Sequence, residues 1–332
     1  MQINDPMPAA MQQTPATDLP FYRKLGRTDL SVSCLGIGGG GGLSSEDTLY
    51  AFDRGINYFF YSSDLHHHIY SSMSEALQKL CGRGSAVREK VVLATVTYMK
   101  GEMAIMPALI DQFTELKTDY IDIFFWGWIG TNKLATDVPI FENCMNTSED
   151  LRGSDSLYQR YMEQMFGASE KLRKMGAVRY IGASFHDLNM ARQWLDSSLL
   201  DVVMVRHNVA HRTAQNQVFN NLHSQDRQRP GTVIFKSAGM FNALWQPPYG
   251  LPSNCWCPSV PDLYRYSLSQ NCVDVNLMGP ETRAHVDAAI DGIQKGKLTA
   301  AELDYLNMYG DMHRDTLNFK DIPSDKLIYQ EQ

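Results

Sequence analysis

Short apolar runs alternate with longer segments of helical period along most of the chain. The first apolar run, 32–37, ends in a string of glycines, Gly38 to Gly42. Ser44, Ser45 and Glu46 then form a polar helix start before Leu49 and Phe52. Further strands are predicted at 58–61, 91–96, 121–126, 180–183, 202–205, 233–235 and 273–277. Helical segments fall between them at 72–80, 107–117, 163–174, 188–195, 213–221 and 262–268, with another at 282–295. The strands are short, apolar and rich in β-branched residues, as expected when both faces are buried. Eight such units predict a closed (β/α)8 TIM barrel over 21–315. An open doubly wound sheet would need a dinucleotide fingerprint in its first turn. Residues 36–42 contain G-x-G spacing but are low in complexity, and read better as permissive backbone at a crowded barrel mouth.

Two segments break the rhythm: 128–160 after the fourth strand, and 241–261 after the seventh. Connections of that length are uncommon without a role. Loops after strands lie on the C-terminal face of a barrel, so long loops are expected over that face. Residues 1–20 are polar and rich in Pro, Ala and Thr, and are expected to form a disordered lead-in; 316–332 are expected to form a tail.

The net charge of −7 argues against a nucleic-acid backbone as partner, since phosphate binding rewards clustered Lys and Arg. No run of 18 apolar residues is present, so no membrane span is expected. The N-terminal residues lack a secretory pattern, and the six cysteines are scattered, which fits reduced thiols in a cytoplasm. Cys255 and Cys257 form the one close pair, a weak metal signal by itself. A small-molecule substrate is the expected partner, and the oligomeric state is left open.

Histidines gather after the predicted strands. His66, His67 and His68 follow the second, His186 the fifth, and His207 and His211 the sixth. In an extended loop His66 and His68 would point the same way, and with His207 or Asp64 they would complete a three-ligand site for a divalent metal. Alternatively the triple His is a polar loop with at most one functional member. Trp126, Trp128, Trp245, Trp256 and Tyr249 would give the mouth an aromatic character if the loops fold over it, or serve as ordinary loop packing.

Several stretches together resemble the aldo-keto reductases. They are Tyr22-Arg-Lys-Leu-Gly-Arg-Thr-Asp-Leu-Ser-Val-Ser-Cys-Leu-Gly36, Gly55-Ile-Asn-Tyr-Phe59, Asp119-Tyr-Ile-Asp122, Glu170-Lys-Leu-Arg173, Gly176-Ala-Val-Arg-Tyr-Ile-Gly-Ala-Ser184 and Arg206-His-Asn-Val-Ala-His-Arg-Thr-Ala214. The last is similar to a stretch of a divergent branch. The matches run in order through most of 22–312 and imply the family's barrel. In that family a Tyr gives a proton to a carbonyl oxygen as nicotinamide delivers hydride. Asp and Lys tune the Tyr, and a His orients the substrate. Here the resemblance puts Phe60, Leu65, Val96 and Gly127 at those four positions. None of them can transfer a proton.

The resemblance therefore implies a non-canonical member with a rebuilt proton donor. Tyr70, five residues beyond Leu65, is the first candidate, with His66, His68, His207 and Lys236 as further ones. Tyr61 and Tyr98 are also near, although each such Tyr reads equally as a wall residue. For NADP(H), the resemblance points to Ser184, Lys236, the turn Gly279-Pro280 and Arg283, which opens a helix where the family pairs basic residues with a ribose phosphate. Three expectations follow. The chain is an NAD(P)H-linked oxidoreductase of a small carbonyl or imine compound, a metal-dependent or cofactor-free tailoring enzyme using His66 and His68, or a pseudoenzyme that binds a small molecule without turnover. The sequence decides neither the nicotinamide nor the metal.

Overall fold

Among the described residues ten strands form, eight of them in one closed ring. The computed structural model describes residues 18–39, 41–99, 101–129, 155–223, 228–239 and 243–317. Most of the expected lead-in, residues 130–154 of the insert and the residues beyond 317 lie outside the described residues. An antiparallel hairpin comes first, β1 (Tyr22–Lys24) with β2 (Ser31–Ser33). The barrel strands are β3 (Leu35–Ile37), β4 (Tyr58–Ser62), β5 (Val92–Thr97), β6 (Ile121–Ile129), β7 (Val178–Phe185), β8 (Val202–Arg206), β9 (Gly231–Phe235) and β10 (Val275–Met278). They pair in parallel in that order, and β10 closes on β3. The helices are α1 (Ser45–Asp53), α2 (Ser74–Cys81), α3 (Ile105–Leu116), α4 (Asp155–Lys174), α5 (Leu188–Trp194), α6 (Thr213–Gln217), α7 (Val260–Leu268), α8 (Arg283–Gln294) and α9 (Ala300–Leu317). The predicted (β/α)8 barrel is therefore the observed fold.

The run 32–37, read as one strand, is divided. Ser31–Ser33 belongs to the hairpin and Leu35–Ile37 to the barrel. The hairpin covers the N-terminal end of the barrel. Gly26 has φ +49°, and a Cβ there would fall 2.1 Å from the backbone nitrogen of Gly231, so the turn rests directly on the start of β9. Helix α9 was not predicted at all. It packs on a second apolar cluster that includes Val209, Leu244, Trp256, Leu263, Tyr266 and Tyr309. Gly310 permits this, because a Cβ there would lie 2.0 Å from the Val209 carbonyl oxygen.

Three carboxylates lock the strands at the N-terminal end. Asp122 accepts from the Leu93 N–H at 2.9 Å and pairs with Arg88 and Arg179, each at 2.8 Å. Asp201 accepts from the Ile181 N–H and pairs with Arg173. Asp274 accepts from the Thr232 N–H and grips Arg229 with both oxygens. Each binds a backbone donor of the preceding strand. Buried charges persist when paired and hydrogen-bonded in this way. Side chains at this end of a barrel serve stability, which leaves the opposite end for chemistry.

Candidate functional site

At the C-terminal face, Asp64 organises the loop after β4. It accepts from the hydroxyls of Ser62 and Thr97 and from the Tyr98 N–H, all at 2.8 Å. The loop is thereby fastened to the end of β5, and Tyr98 is set at the mouth. Tyr98 and Tyr70 lie close enough to act on each other's ionisation, in the sense that favours the Tyr70 phenolate and opposes that of Tyr98. Burial still pushes Tyr70 up to about 12, so it is a neutral phenol at ordinary pH. The Tyr70 ring packs 6.0 Å from that of Phe60, and a Cβ on Gly39 would come within 2.6 Å of it. Phe60 and the glycine run together make the slot for this ring.

Phe60 is buried against Tyr70 and Phe125. Val96 is fully buried. Leu65 is exposed. Gly127 faces the Tyr98 ring so closely that a Cβ would fall 2.4 Å from Cδ1. A histidine at 127 and a tyrosine at 98 exclude each other in this backbone.

The histidine loop differs from the extended strand that metal binding required. Residues His67–Ile69 form a 3-10 turn, in which the rings of His66 and His68 stay 6.3 Å apart while His67 leaves them. His66 faces inward, 4.8 Å from the rings of both Tyr98 and Trp128. His67 turns outward to Glu115, with Nε2 at 2.6 Å from the carboxylate. His68 is exposed. His207 lies elsewhere, fully buried, stacked on Tyr266 and beside Phe219. The set His66, His68, His207 is corrected accordingly. Among the described residues no three His, Cys, Asp or Glu side chains form a group able to hold a metal ion. Burial drives the His207 pKa down to about 3, with Arg212 adding to the effect, so it is a neutral packing residue and not an acid at the mouth.

Other expectations are also redirected. Tyr61 bonds Ser74 and Glu115 in the helix layer and does not reach the mouth. The aromatic mouth contracts to Tyr98, Trp128 and His66. Trp126 is fully buried, with its indole N–H on Ser169; Trp256 stacks on Tyr305; Trp245 and Tyr249 are exposed. Most of the described part of the insert 241–261 is thus held by α9, with the Tyr309 hydroxyl donating to the carbonyls of Leu244 and Gln246.

The residues suggested for nicotinamide fit that group at one end only. Ser184 ends near the tip of β7, and its Oγ accepts from the Trp128 N–H at 2.9 Å, which leaves its own proton for a ligand. Trp128 takes φ +54° at a register shift in β6 to make that bond. Gly279 and Pro280 have carbonyls so near Gly41 that a Cβ there would fall 2.4 and 2.3 Å away, so the glycine run closes over the turn. Arg283 is already engaged by Asp47 and Glu46, both at 2.5 Å. Its charge is neutralised where a ribose phosphate was expected to need it.

Lys236 sits just beyond β9 in the left-handed region, φ +60°. Its carbonyl accepts from Asn208 Nδ2 at 2.8 Å, and Asn208 Oδ1 holds the N–H groups of Ala210 and His211. One buried amide thus fixes Lys236 and His211 together. Burial and Arg206 both lower the Lys236 pKa. A cavity of about 530 Å³ opens beside them, lined by Phe185, His186, Leu188, Arg206, His211 and others. Arg206 opens the stretch Arg206–Ala214 that carries the family resemblance, and the sequence gives it no separate role. Its signal was present: it is the one charged residue of an otherwise apolar strand, and it stands at the C-terminal end.

Fold and site define a (β/α)8 barrel with a small-molecule mouth. The sequence model of the aldo/keto reductase family matches residues 44–226, and the chain belongs to that family. Aldo-keto reductase AKR11C1 from Bacillus halodurans has the same fold in both its apo and holo forms. It is 21% identical, with a TM-score of 0.63 over 88% of this chain and 99% of that one. A Pseudomonas aeruginosa protein described as an aldo-keto reductase has a TM-score of 0.58 at 18% identity, over 84% and 96% of the two chains. No curated protein matches the chain.

Proposed function

We propose that this protein is an NAD(P)H-linked oxidoreductase of a small carbonyl or imine compound, with Tyr70 as its proton donor. The observation that carries this reading is the placement of Tyr70 in the slot made by Phe60 and Gly39, beside a Tyr98 whose backbone Asp64 holds at the barrel mouth. Family membership supports the nicotinamide, which when bound supplies the hydride. Tyr70 holds the proton, and the neighbouring Tyr98 favours its departure. Asp64 positions Tyr98 through its backbone N–H. Trp128 and His66 shield the pair from water on the loop side. Ser184 is the described residue best suited to orient the nicotinamide end.

The test is turnover of a panel of aldehydes, ketones and imines with NADPH and NADH, for the parent and for Tyr70→Phe. A loss of roughly 100-fold or more, with nucleotide binding intact, is expected for removal of a general acid. Undiminished turnover in Tyr70→Phe would exclude this donor. Absence of nucleotide binding to the parent would exclude the reading as a whole.

A further inference from the structure

We propose that the cavity between the ends of β7 and β8 binds the carboxylate or phosphate group of an organic anion, with Arg206 as its principal ligand. Most arginines of the barrel are spoken for. Arg88, Arg173, Arg179, Arg212, Arg229 and Arg265 each pair with a carboxylate. Arg206 is half-buried at the cavity wall and has no hydrogen bond or ion pair among the described residues. A guanidinium withdrawn from water without a partner is costly, and an entering anion removes that cost. Its planar fork suits the two oxygens of a carboxylate or phosphate.

The surroundings strengthen the case. His211 shares the cavity, and Lys236 is close enough to both for their charges to oppose one another. Arg314 adds to the same field at His211. The one carboxylate of the lining is Asp187, and its Oδ1 is engaged by the N–H groups of Asn189 and Met190. The cluster therefore has excess positive charge and lies in a chain whose net charge is −7. The cavity, about 530 Å³, is far larger than an inorganic ion. Leu188 gives it an apolar wall, which fits the carbon skeleton of an organic acid or phosphate ester.

This site goes beyond the oxidoreductase reading and stands on Arg206 whether or not a nucleotide binds. We assign the anion to the substrate and not to the cofactor. The test is calorimetric titration of nucleotide-free protein at low ionic strength with malonate, with inorganic phosphate, and with neutral malonamide. One-site binding of malonate or phosphate, none of malonamide, and weakening by at least about 10-fold in Arg206→Met are expected. Arg206→Lys should recover part of the affinity. Because Arg206 has no partner to abandon, Arg206→Met should fold, and an unchanged or raised Tm checks this. A Lys236→Met variant, expected to weaken binding less, provides an independent readout. Titrations are then repeated with saturating NADPH. Undisturbed anion binding supports the substrate assignment; competition that disappears in Arg206→Met overturns it in favour of a cofactor phosphate. No saturable binding, or binding indifferent to Arg206→Met, overturns the site itself. Failure of NADPH to bind counts against the oxidoreductase reading alone.

Discussion

The ring of Tyr98 occupies the space that any side chain at Gly127 would need, with a Cβ at 127 falling 2.4 Å from Tyr98 Cδ1. The two positions lie on neighbouring parts of the mouth, one just past β5 and one in β6. Gly127→Ala should accordingly destabilise the protein by about 1–3 kcal/mol through overpacking. Tyr98→Ala in the same chain should restore part of the loss, a non-additivity readable in a double-mutant cycle of denaturant unfolding. Equal costs with and without Tyr98 would show that the ring is not the obstacle.

Tyr70 titrates far above neutrality. Its folded pKa, about 12, is raised above the ordinary 10 by burial. A group raised on folding lends stability that is complete below the unfolded value and lost as pH rises through the folded one. Stability should therefore decline between pH 10 and 12, and less so in Tyr70→Phe. The phenolate absorbance difference between parent and variant should develop in the same range. A midpoint near 10 would mean that Tyr70 is open to water.

His207 has the opposite sign. Its folded pKa of about 3 lies below the ordinary 6.5 because burial opposes the charge. Its contribution is present above pH 6.5 and is lost as pH falls toward 3. At pH 5 the loss amounts to about 2 kcal/mol. His207→Phe keeps the stack on Tyr266 and removes the titrating group, so its stability should fall less between pH 6.5 and 4. The same variant should leave the metal content of the purified protein unchanged by elemental analysis, since His207 does not meet His66 or His68.

Arg283 is neutralised by Glu46 and Asp47. Arg283→Ala is expected to change NADPH affinity by less than about 3-fold, as exposed ion pairs and their partners contribute little. Glu46→Gln with Asp47→Asn should release the guanidinium and tighten NADPH more than NADH, with the gain shrinking as salt rises. A large loss in Arg283→Ala would mean that the pair opens to receive phosphate.

The barrel was legible because its causes are local. Runs such as Val202–Val205 are apolar on both faces, and only a strand covered on both sides uses them. Strand ends could be placed to within a few residues, and with them the face that carries the mouth. His66 was reached from that order, and Tyr70, Ser184 and Lys236 from the family resemblance laid on it. Their companions were not. A three-residue turn at His67–Ile69 takes His67 to Glu115 and leaves His66 at the mouth, and no period in the chain announces such a turn. The pairing of Arg283 with Glu46 spans 237 positions, and the place of Tyr98 near Tyr70 depends on how Asp64 ties two loops together.

Hydrophobic alternation and chain order by themselves determined that this sequence closes into eight βα units with its polar chemistry at one end. Only the tertiary structure decided which charges are spent on each other and which are left facing a cavity. The reason is physical. Burial of apolar strands is a short-range property of each segment, repeated along the chain. Whether a guanidinium such as Arg206 or Arg283 is paired depends on which distant carboxylates the closed barrel brings within about 4 Å.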